Sequence, residues 1–227
     1  EELGIEAFNS RRIFLQIADI NDIKYRSPFR RRRMRIFNGA RIIWHRPLPP
    51  GFSNLDDKGT DVLMRGFARY LDRGGEGQLR LVSKGYDVER TKHLSSELGL
   101  DENVVWIDEL SHSDFYEELA NADVVVDQLG TSLPGMVSVD AMTMGRVVMA
   151  NFRLDQMAHC YPKPHPFLHS TTEHEVCESL MAMYLDPVKR ARLGDEAAIY
   201  MQCHYAPEMN AKKLLDRLGL QFKLGNA

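Results

Sequence analysis

Long hydrophobic runs are missing from this sequence, and no apolar stretch approaches the about 20 residues that a membrane-spanning helix needs. No signal-peptide pattern opens the chain. Cysteine is scarce: Cys160, Cys177 and Cys203 occur without CxxC spacing. This usage argues against a disulfide framework and is typical of reduced thiols. We therefore expect a cytoplasmic protein.

Two motif classes are absent as well. The GxGxxG fingerprint of dinucleotide-binding folds does not occur, which argues against an NAD-type oxidoreductase. Histidine and cysteine are concentrated between residues 159 and 177 and again at 203–204, yet neither CxxC nor HExxH spacing accompanies them. Because zinc coordination is strict in its geometry, we do not expect a metal site in this cluster.

Charge is distributed unevenly, although the net charge is only -3. Residues 1–46 hold 11 Lys or Arg against 5 Asp or Glu, and four consecutive arginines begin at Arg30 and lead to Arg35. Such a run can contact phosphate, in nucleic acid or in an anionic membrane surface. It can equally be a solvated helix face or a junction with another domain. No stacking motif or zinc finger accompanies it, so we expect no nucleic-acid partner; peripheral membrane association stays open.

From residue 41 onward, short apolar runs alternate with segments of helical periodicity. Several runs are apolar on both faces, which is typical of strands in a parallel sheet. The pattern predicts strands at 41–47, 79–85, 104–110, 122–129 and 146–152, and helices at 59–75, 88–100, 111–122 and 135–145. The pattern of residues 172–220 is almost wholly helical.

This alternation predicts an α/β fold with a Rossmann-like, doubly wound parallel sheet and a C-terminal helical segment. The first 40 residues do not join the alternation. We interpret 1–40 as a basic lead-in or the remnant of a neighbouring domain, and 41–227 as the Rossmann-like domain. Right-handed crossovers place the loops that follow the strands along one edge of the sheet, where such folds bind ligands.

These loops carry candidate anion-binding side chains. Arg46 lies at the end of the first predicted strand, and Lys58 lies at the start of the next helix. A lysine there opposes the helix dipole, so it favours an anionic partner. Asp56 and Asp57 can supply that partner, and a diphosphate that bridges Arg46 and Lys58 is the alternative. Lys84, followed by a glycine, occupies the loop after the second predicted strand.

A single acid lies in the segment between two β-branched runs. Pro134 and Gly135 turn the chain into a short helix whose first N–H groups can bind phosphate or hydroxyl oxygens. Asp140 falls about one turn into this helix. It can be satisfied by local backbone N–H groups or by a buried arginine, or it can accept hydrogen bonds from the diol of a nucleotide ribose.

Residues 41–205 resemble the C-terminal, donor-binding half of GT-B fold glycosyltransferases, of the large retaining family called group 1. The order and spacing of the matching segments along one Rossmann-like unit carry the resemblance. The segments are 57–71 (DKGTDVLMRGFARYL), 79–85 (LRLVSKG), 98–128 and 135–152 (GMVSVDAMTMGRVVMANF).

The resemblance implies transfer of a sugar from a nucleotide-diphosphate sugar, with retention of configuration and without a cofactor or an obligatory metal. It assigns the donor diphosphate to Arg46 and Lys58, although the step between them is longer than usual in the family. It places Gly135 and Met136 at the phosphates and the sugar, and Asp140 at the ribose.

Two departures from the family bear on activity. The acid that faces the transferred sugar in the family is replaced here by Ser132. The alternative to an active transferase is therefore a catalytically degenerate nucleotide-binding or scaffold domain. Residues 1–40 are too few to form the N-terminal acceptor domain of a GT-B enzyme. We therefore expect one part of a longer protein, with a nucleotide sugar and a glycan, lipid or small-molecule acceptor as partners.

Overall fold

The computed structural model describes residues 17–130, 134–154 and 158–219. Six strands of these residues form one sheet: β1 (Met34–Asn38), β2 (Gly77–Val82), β3 (Val104–Ile107), β4 (Val124–Val126), β5 (Val147–Ala150) and β6 (Leu168–His169). Their order is β3-β2-β1-β4-β5-β6, and every neighbouring pair is parallel. The predicted doubly wound parallel sheet is confirmed.

Helices cover both faces of the sheet: α1 (Thr60–Asp72), α2 (Val88–Glu97), α3 (His112–Asn121), α4 (Met136–Thr143), α5 (Glu173–Leu185), α6 (Pro187–Tyr205) and α7 (Pro207–Arg217). One apolar core joins α1, α2 and α5 to the sheet, and a second joins α3, α4 and α6 to the opposite face. Successive residues such as Ile36 and Phe37 face different cores, as the pleat of a strand requires. None of the helices in the described ranges is long and apolar enough to cross a membrane.

The central strand, β1, lies within the segment that we interpreted as a lead-in. It pairs with β2 on one side and with β4 on the other. The prediction that the first 40 residues stay outside the alternation is therefore wrong for Met34–Asn38. The strand tolerates Arg35 because its guanidinium reaches the Glu118 carboxylate of α3 at 2.6 Å.

Residues 41–47 form an extended loop, so the prediction of a strand there is wrong. The N–H groups of this loop find partners outside a strand ladder. Ile42 N–H donates to the carbonyl of Lys84 at 2.7 Å, and Trp44 N–H donates to the Asp87 carboxylate at 2.9 Å. The isoleucine and tryptophan side chains of this run pack beneath the loop. The run therefore has the same local pattern as a buried strand.

The arginine run lies directly before β1, at the edge of the sheet opposite the carboxyl ends of the strands. Arg30 and Arg33 make no hydrogen bond or ion pair within the part of the chain that the structure describes. Three other side chains form ion pairs: Arg31 with Asp123 (2.6 Å), Arg32 with Glu76 (3.1 Å) and Arg35 with Glu118 (2.6 Å). Much of the charge of the run is thus balanced inside the domain.

Gly194 lies inside α6. A Cβ at this position would lie 2.3 Å from the carbonyl oxygen of Gly145, in the turn after α4. The glycine therefore permits a close approach of α6 to that turn and does not end the helix. This contact fixes the position of α4, which carries several of the candidate site residues.

Candidate active site

The candidate site lies at the carboxyl ends of β1 and β4, where the strand order reverses direction and a crevice opens between the loops. The bordering segments are 39–59 after β1, 83–87 after β2, 108–111 after β3, and 127–130 and 134–135 after β4. Ser132, predicted to face the transferred sugar, lies outside the described residues. Its role stays a prediction.

Lys58 lies where the loop after β1 meets the loop after β4. Its Nζ donates to Gln128 Oε1 at 3.0 Å, and its carbonyl accepts from Leu129 N–H at 2.9 Å. Gly59 follows with φ +66°, and a Cβ there would lie 2.6 Å from the nitrogen of Gly130. Glycine permits both the positive φ and the close approach of the two loops, and it thereby positions the lysine.

The charge of Lys58 lies among charges of both signs. Burial lowers its pKa, the carboxylates of Asp56 and Asp127 raise it, and the guanidinium of Arg41 lowers it. Arg41 makes no side-chain hydrogen bond with the residues that the structure describes. Two neighbouring cations disfavour each other's charge, so an anion between them is favourable. Arg41 is not among the predicted site residues, because the sequence pattern predicts a strand that begins at this residue.

Arg46, the predicted partner of Lys58, already has polar contacts of its own. Its Nη2 donates to Asp57 Oδ2 at 2.9 Å, and its Nη1 donates to Asn54 Oδ1 at 3.3 Å. It borders a cavity of about 520 Å³ that also reaches Gly130 after β4 and Asn151 after β5. Arg46 stays a predicted diphosphate ligand, and a ligand has to share or displace its contact with Asp57.

A second cavity, of about 300 Å³, opens at the ends of β1, β2 and β3. Arg41, Lys84 and the ring of Phe115 line it. Lys84 Nζ donates to Glu109 Oε2 at 2.7 Å, and both side chains remain substantially exposed. An apolar wall beside cationic groups suits a ligand that joins an aromatic ring to phosphate.

Asp140 lies in α4, and its carboxylate faces α3. Tyr116 O–H donates to Oδ2 at 3.1 Å, and the His112 ring packs against Tyr116 with ring centroids 4.4 Å apart. Burial raises the pKa of Asp140, while the Tyr116 hydrogen bond and the His112 charge lower it. Oδ1 makes no hydrogen bond within the described part of the chain, so it can accept one from a ligand hydroxyl.

The start of α4 is bound to an internal carboxylate that sequence analysis did not single out. Gly135 N–H and Ser138 O–H both donate to Asp127 Oδ2 at 2.7 Å. The Gly135 amide, which we predicted to approach the donor phosphates, therefore already has a partner. Met136, the other predicted backbone contact, begins the helix and is 51% exposed.

The histidines after β5 make contacts within the domain. His165 Nε2 lies 3.0 Å from the carbonyl of Tyr161, and His169 Nδ1 accepts from Phe152 N–H at 3.1 Å. Across residues 17–130, 134–154 and 158–219, no three His, Cys, Asp or Glu side chains are grouped so that they could hold a metal ion. The expectation of no obligatory metal stays a prediction.

Residues 51–159 match the family model described as Glycosyl transferases group 1. These residues are similar to the domains of group 1 glycosyltransferases. The matched segment runs from the loop before α1 to the region after β5, and it contains Lys58, Lys84, Asp127 and Asp140. A comparison with curated protein sequences gives no match.

Solved glycosyltransferase structures have a similar fold. TarM from S. aureus, as a variant bound to fondaparinux, alpha-GlcNAc-glycerol and UDP, is 15% identical with a TM-score of 0.65, over 93% of this chain and 41% of TarM. Anabaena HepE bound to UDP and glucose is 18% identical with a TM-score of 0.60, over 83% of this chain and 48% of HepE.

The C-terminal domain of the group 1 protein LpcC from Francisella tularensis is 15% identical, with a TM-score of 0.59, over 82% of this chain and 97% of that domain. At these identities the likeness shows the fold, and the predicted Rossmann-like fold is confirmed. This chain spans less than half of TarM and HepE, whereas it spans nearly all of the separate LpcC domain.

Proposed function

We propose that this chain is the donor-binding part of a retaining glycosyltransferase that uses a nucleotide-diphosphate sugar. The observation that carries the proposal is the half-buried Lys58, with Arg41 acting on its charge, at the switch point of a domain that matches the family. Fixed positive charge at such a crevice favours a multiply charged anion, and a diphosphate leaving group is one.

Transfer breaks the bond between the anomeric carbon of the sugar and the donor diphosphate, so negative charge develops on the leaving group. Lys58 and Arg46 would stabilise that charge, and Arg41 would add to it. Free amides in the first turn of α4, from Met136 onward, would bind phosphate or sugar oxygens. Charge stabilisation and positioning would supply the catalysis, without a cofactor, an obligatory metal or a protein nucleophile.

The nucleoside would occupy the cavity at the ends of β1, β2 and β3. Its base would lie near Phe115 and Lys84, and Oδ1 of Asp140 would accept a ribose hydroxyl. The HepE structure is bound to UDP, which makes uridine nucleotides the first probe for this chain. Titration with different nucleotides and nucleotide sugars would identify the base and the sugar of the donor.

Ser132 motivates the alternative, a catalytically degenerate domain that binds a nucleotide or serves as a scaffold. A second polypeptide segment would supply the acceptor-binding domain, and the acceptor would be a glycan, a lipid or a small molecule. We place the protein in the cytoplasm. Contact with an anionic membrane surface would depend on Arg30 and Arg33, since Arg31, Arg32 and Arg35 have ion-pair partners.

Calorimetric titration of the chain with UDP, GDP, ADP and their sugars tests the proposal. We expect saturable binding of one nucleotide, and its loss in Lys58→Ala and Asp140→Asn. Failure of the folded chain to bind any of these ligands would sink the donor-site proposal. Binding without sugar transfer or donor hydrolysis in the longer protein would favour the degenerate alternative.

A further inference from the structure

Asp127, the first residue after β4, is a buried carboxylate. Its side chain is almost fully enclosed, with 1% of the residue exposed. Oδ2 accepts from Gly135 N–H and Ser138 O–H, each at 2.7 Å. Oδ1 makes no hydrogen bond with the described residues. Asp127 is not among the residues that we predicted to contact the donor.

Lys58 is the cation that offsets the charge of Asp127. A buried carboxylate with an unbonded oxygen is costly unless an opposite charge lies close by. The charge of Lys58 favours the ionised form of Asp127, and Asp127 in turn favours protonated Lys58. Lys58 Nζ also donates to Gln128, the residue that follows Asp127, at 3.0 Å. A proton on Oδ1 would find no acceptor in the described structure, so the geometry fits the ionised carboxylate.

We infer that Asp127 is a positioning residue that holds the first turn of α4 and keeps Lys58 protonated in the crevice. The contacts with Gly135 and Ser138 perform the first task, and the charge of Asp127 performs the second. The consequence for nucleotide binding rests on the proposed function. The effect on the protonation of Lys58 does not depend on that function.

Other groups act on the same pair. Asp56 and Asp57, in the loop before α1, favour protonated Lys58, and Arg41 disfavours it. Burial raises the pKa of Asp127 and lowers the pKa of Lys58. Each group therefore depends on the other for its charge, and removal of the negative charge at position 127 should let Lys58 lose its proton at lower pH.

The test compares Asp127→Asn with Ser138→Ala in the whole chain. The first variant removes the charge and keeps the shape, whereas the second removes one hydrogen bond to Asp127 and leaves its charge. NMR of the chain with 13C-labelled lysine follows the titration of Lys58. The signal of Lys58 is assigned by its absence from the spectrum of Lys58→Met. We expect the Lys58 midpoint to fall by about one pH unit in Asp127→Asn and to stay nearly unchanged in Ser138→Ala.

An unchanged Lys58 midpoint in Asp127→Asn would overturn the inference. If that variant does not fold, the wild-type chain decides: the Gly135 amide resonance and the Lys58 signal should both respond to the ionisation of Asp127, whose pKa burial raises. A Gly135 amide that titrates without a coincident change in the Lys58 signal overturns the inference. The affinity for UDP, measured as a function of pH, is a second test. As the pH rises above neutral, Asp127→Asn should lose UDP binding at a lower pH than wild type does. If the wild-type chain does not bind UDP, that result counts against the proposed function. The titration of Lys58 then still decides the inference about Asp127.

Discussion

Replacing Lys58 with methionine removes the charge from the crevice but keeps an unbranched side chain that can fill the same half-buried space. The proposed function makes this charge a direct contact of the donor diphosphate. The variant should therefore lose affinity for nucleotide diphosphates, while the fold of the domain is retained.

The size of the loss follows from the environment of Lys58. Two unit charges about 4 Å apart interact with about 4 kcal/mol at an effective dielectric constant of 20, and desolvation offsets part of this. The net value of a hydrogen bond to a charged group is about 1.5–3 kcal/mol. We therefore expect Kd for the nucleotide diphosphate to rise about 10- to 150-fold.

Stability should change less than affinity, because two effects oppose each other. Burial lowers the pKa of Lys58, so the charged lysine costs folding free energy at neutral pH, and Lys58→Met removes that cost. The same substitution leaves the buried Asp127 carboxylate without its counter-charge, which is destabilising.

Isothermal calorimetry with UDP and urea unfolding, performed on Lys58→Met and on Lys189→Met, measures both effects. Lys189 lies exposed on α6 and serves as the matched control. A loss of affinity below about threefold in Lys58→Met, or an equal loss in the control, would refute the assignment of the diphosphate to Lys58.

Four further predictions concern other residues of the domain. Asp140→Asn should weaken UDP binding about 10-fold or more but leave inorganic diphosphate binding unchanged, because only the nucleotide has a ribose; equal losses for both would contradict this. Because burial raises the pKa of Asp140 above 3.8, wild-type affinity for UDP should fall as the pH drops through that raised value, and the Asn variant should lack this step. Asp123→Asn should lower the free energy of unfolding, measured with urea, by about 3 kcal/mol, because it leaves the buried Arg190 guanidinium without the carboxylate that lies 3.4 Å away; the exposed Asp72→Asn is the control, and equal stabilities would count against a buried ion pair. Gly130→Ala should cost about 1–3 kcal/mol and weaken UDP binding, since a Cβ would lie 2.4 Å from the carbonyl oxygen of Asp57; wild-type values for both would show that the two loops can separate freely.

Local pattern was sufficient for elements whose burial is regular. The helices α1 to α4 and the strands β2 to β5 occur where periodicity predicted them. Ser111 caps α3, since its Oγ accepts from Asp114 N–H at 3.2 Å. These features depend on residues within one or two turns of each other, so the sequence carries them directly.

Features that depend on distant partners were not predictable in this way. β1 is a five-residue strand that follows four arginines and contains Arg35, and it is buried because β2 and β4 flank it. The apolar run at 41–47 imitates a strand, yet its N–H groups bond to loop atoms that lie far along the chain. Because of this error, the end of the first strand was predicted at the wrong position, and Arg41 was not recognised as a residue of the site.

The candidate site was predictable in part for a related reason. Lys58 and Asp140 follow from loop position and from the family resemblance. Asp127 was not predictable from periodicity, because its role depends on the amide of Gly135, which only the folded loop after β4 brings to 2.7 Å. Charge pairs and internal caps of this kind depend on three-dimensional placement.

A crystal structure of the chain with bound UDP tests the central claim most directly. We expect the diphosphate at the carboxyl ends of β1 and β4, with a phosphate oxygen within hydrogen-bond distance of Lys58 Nζ and a ribose hydroxyl at Asp140. UDP bound elsewhere on the domain, or a diphosphate in the crevice that does not contact Lys58, would contradict the account.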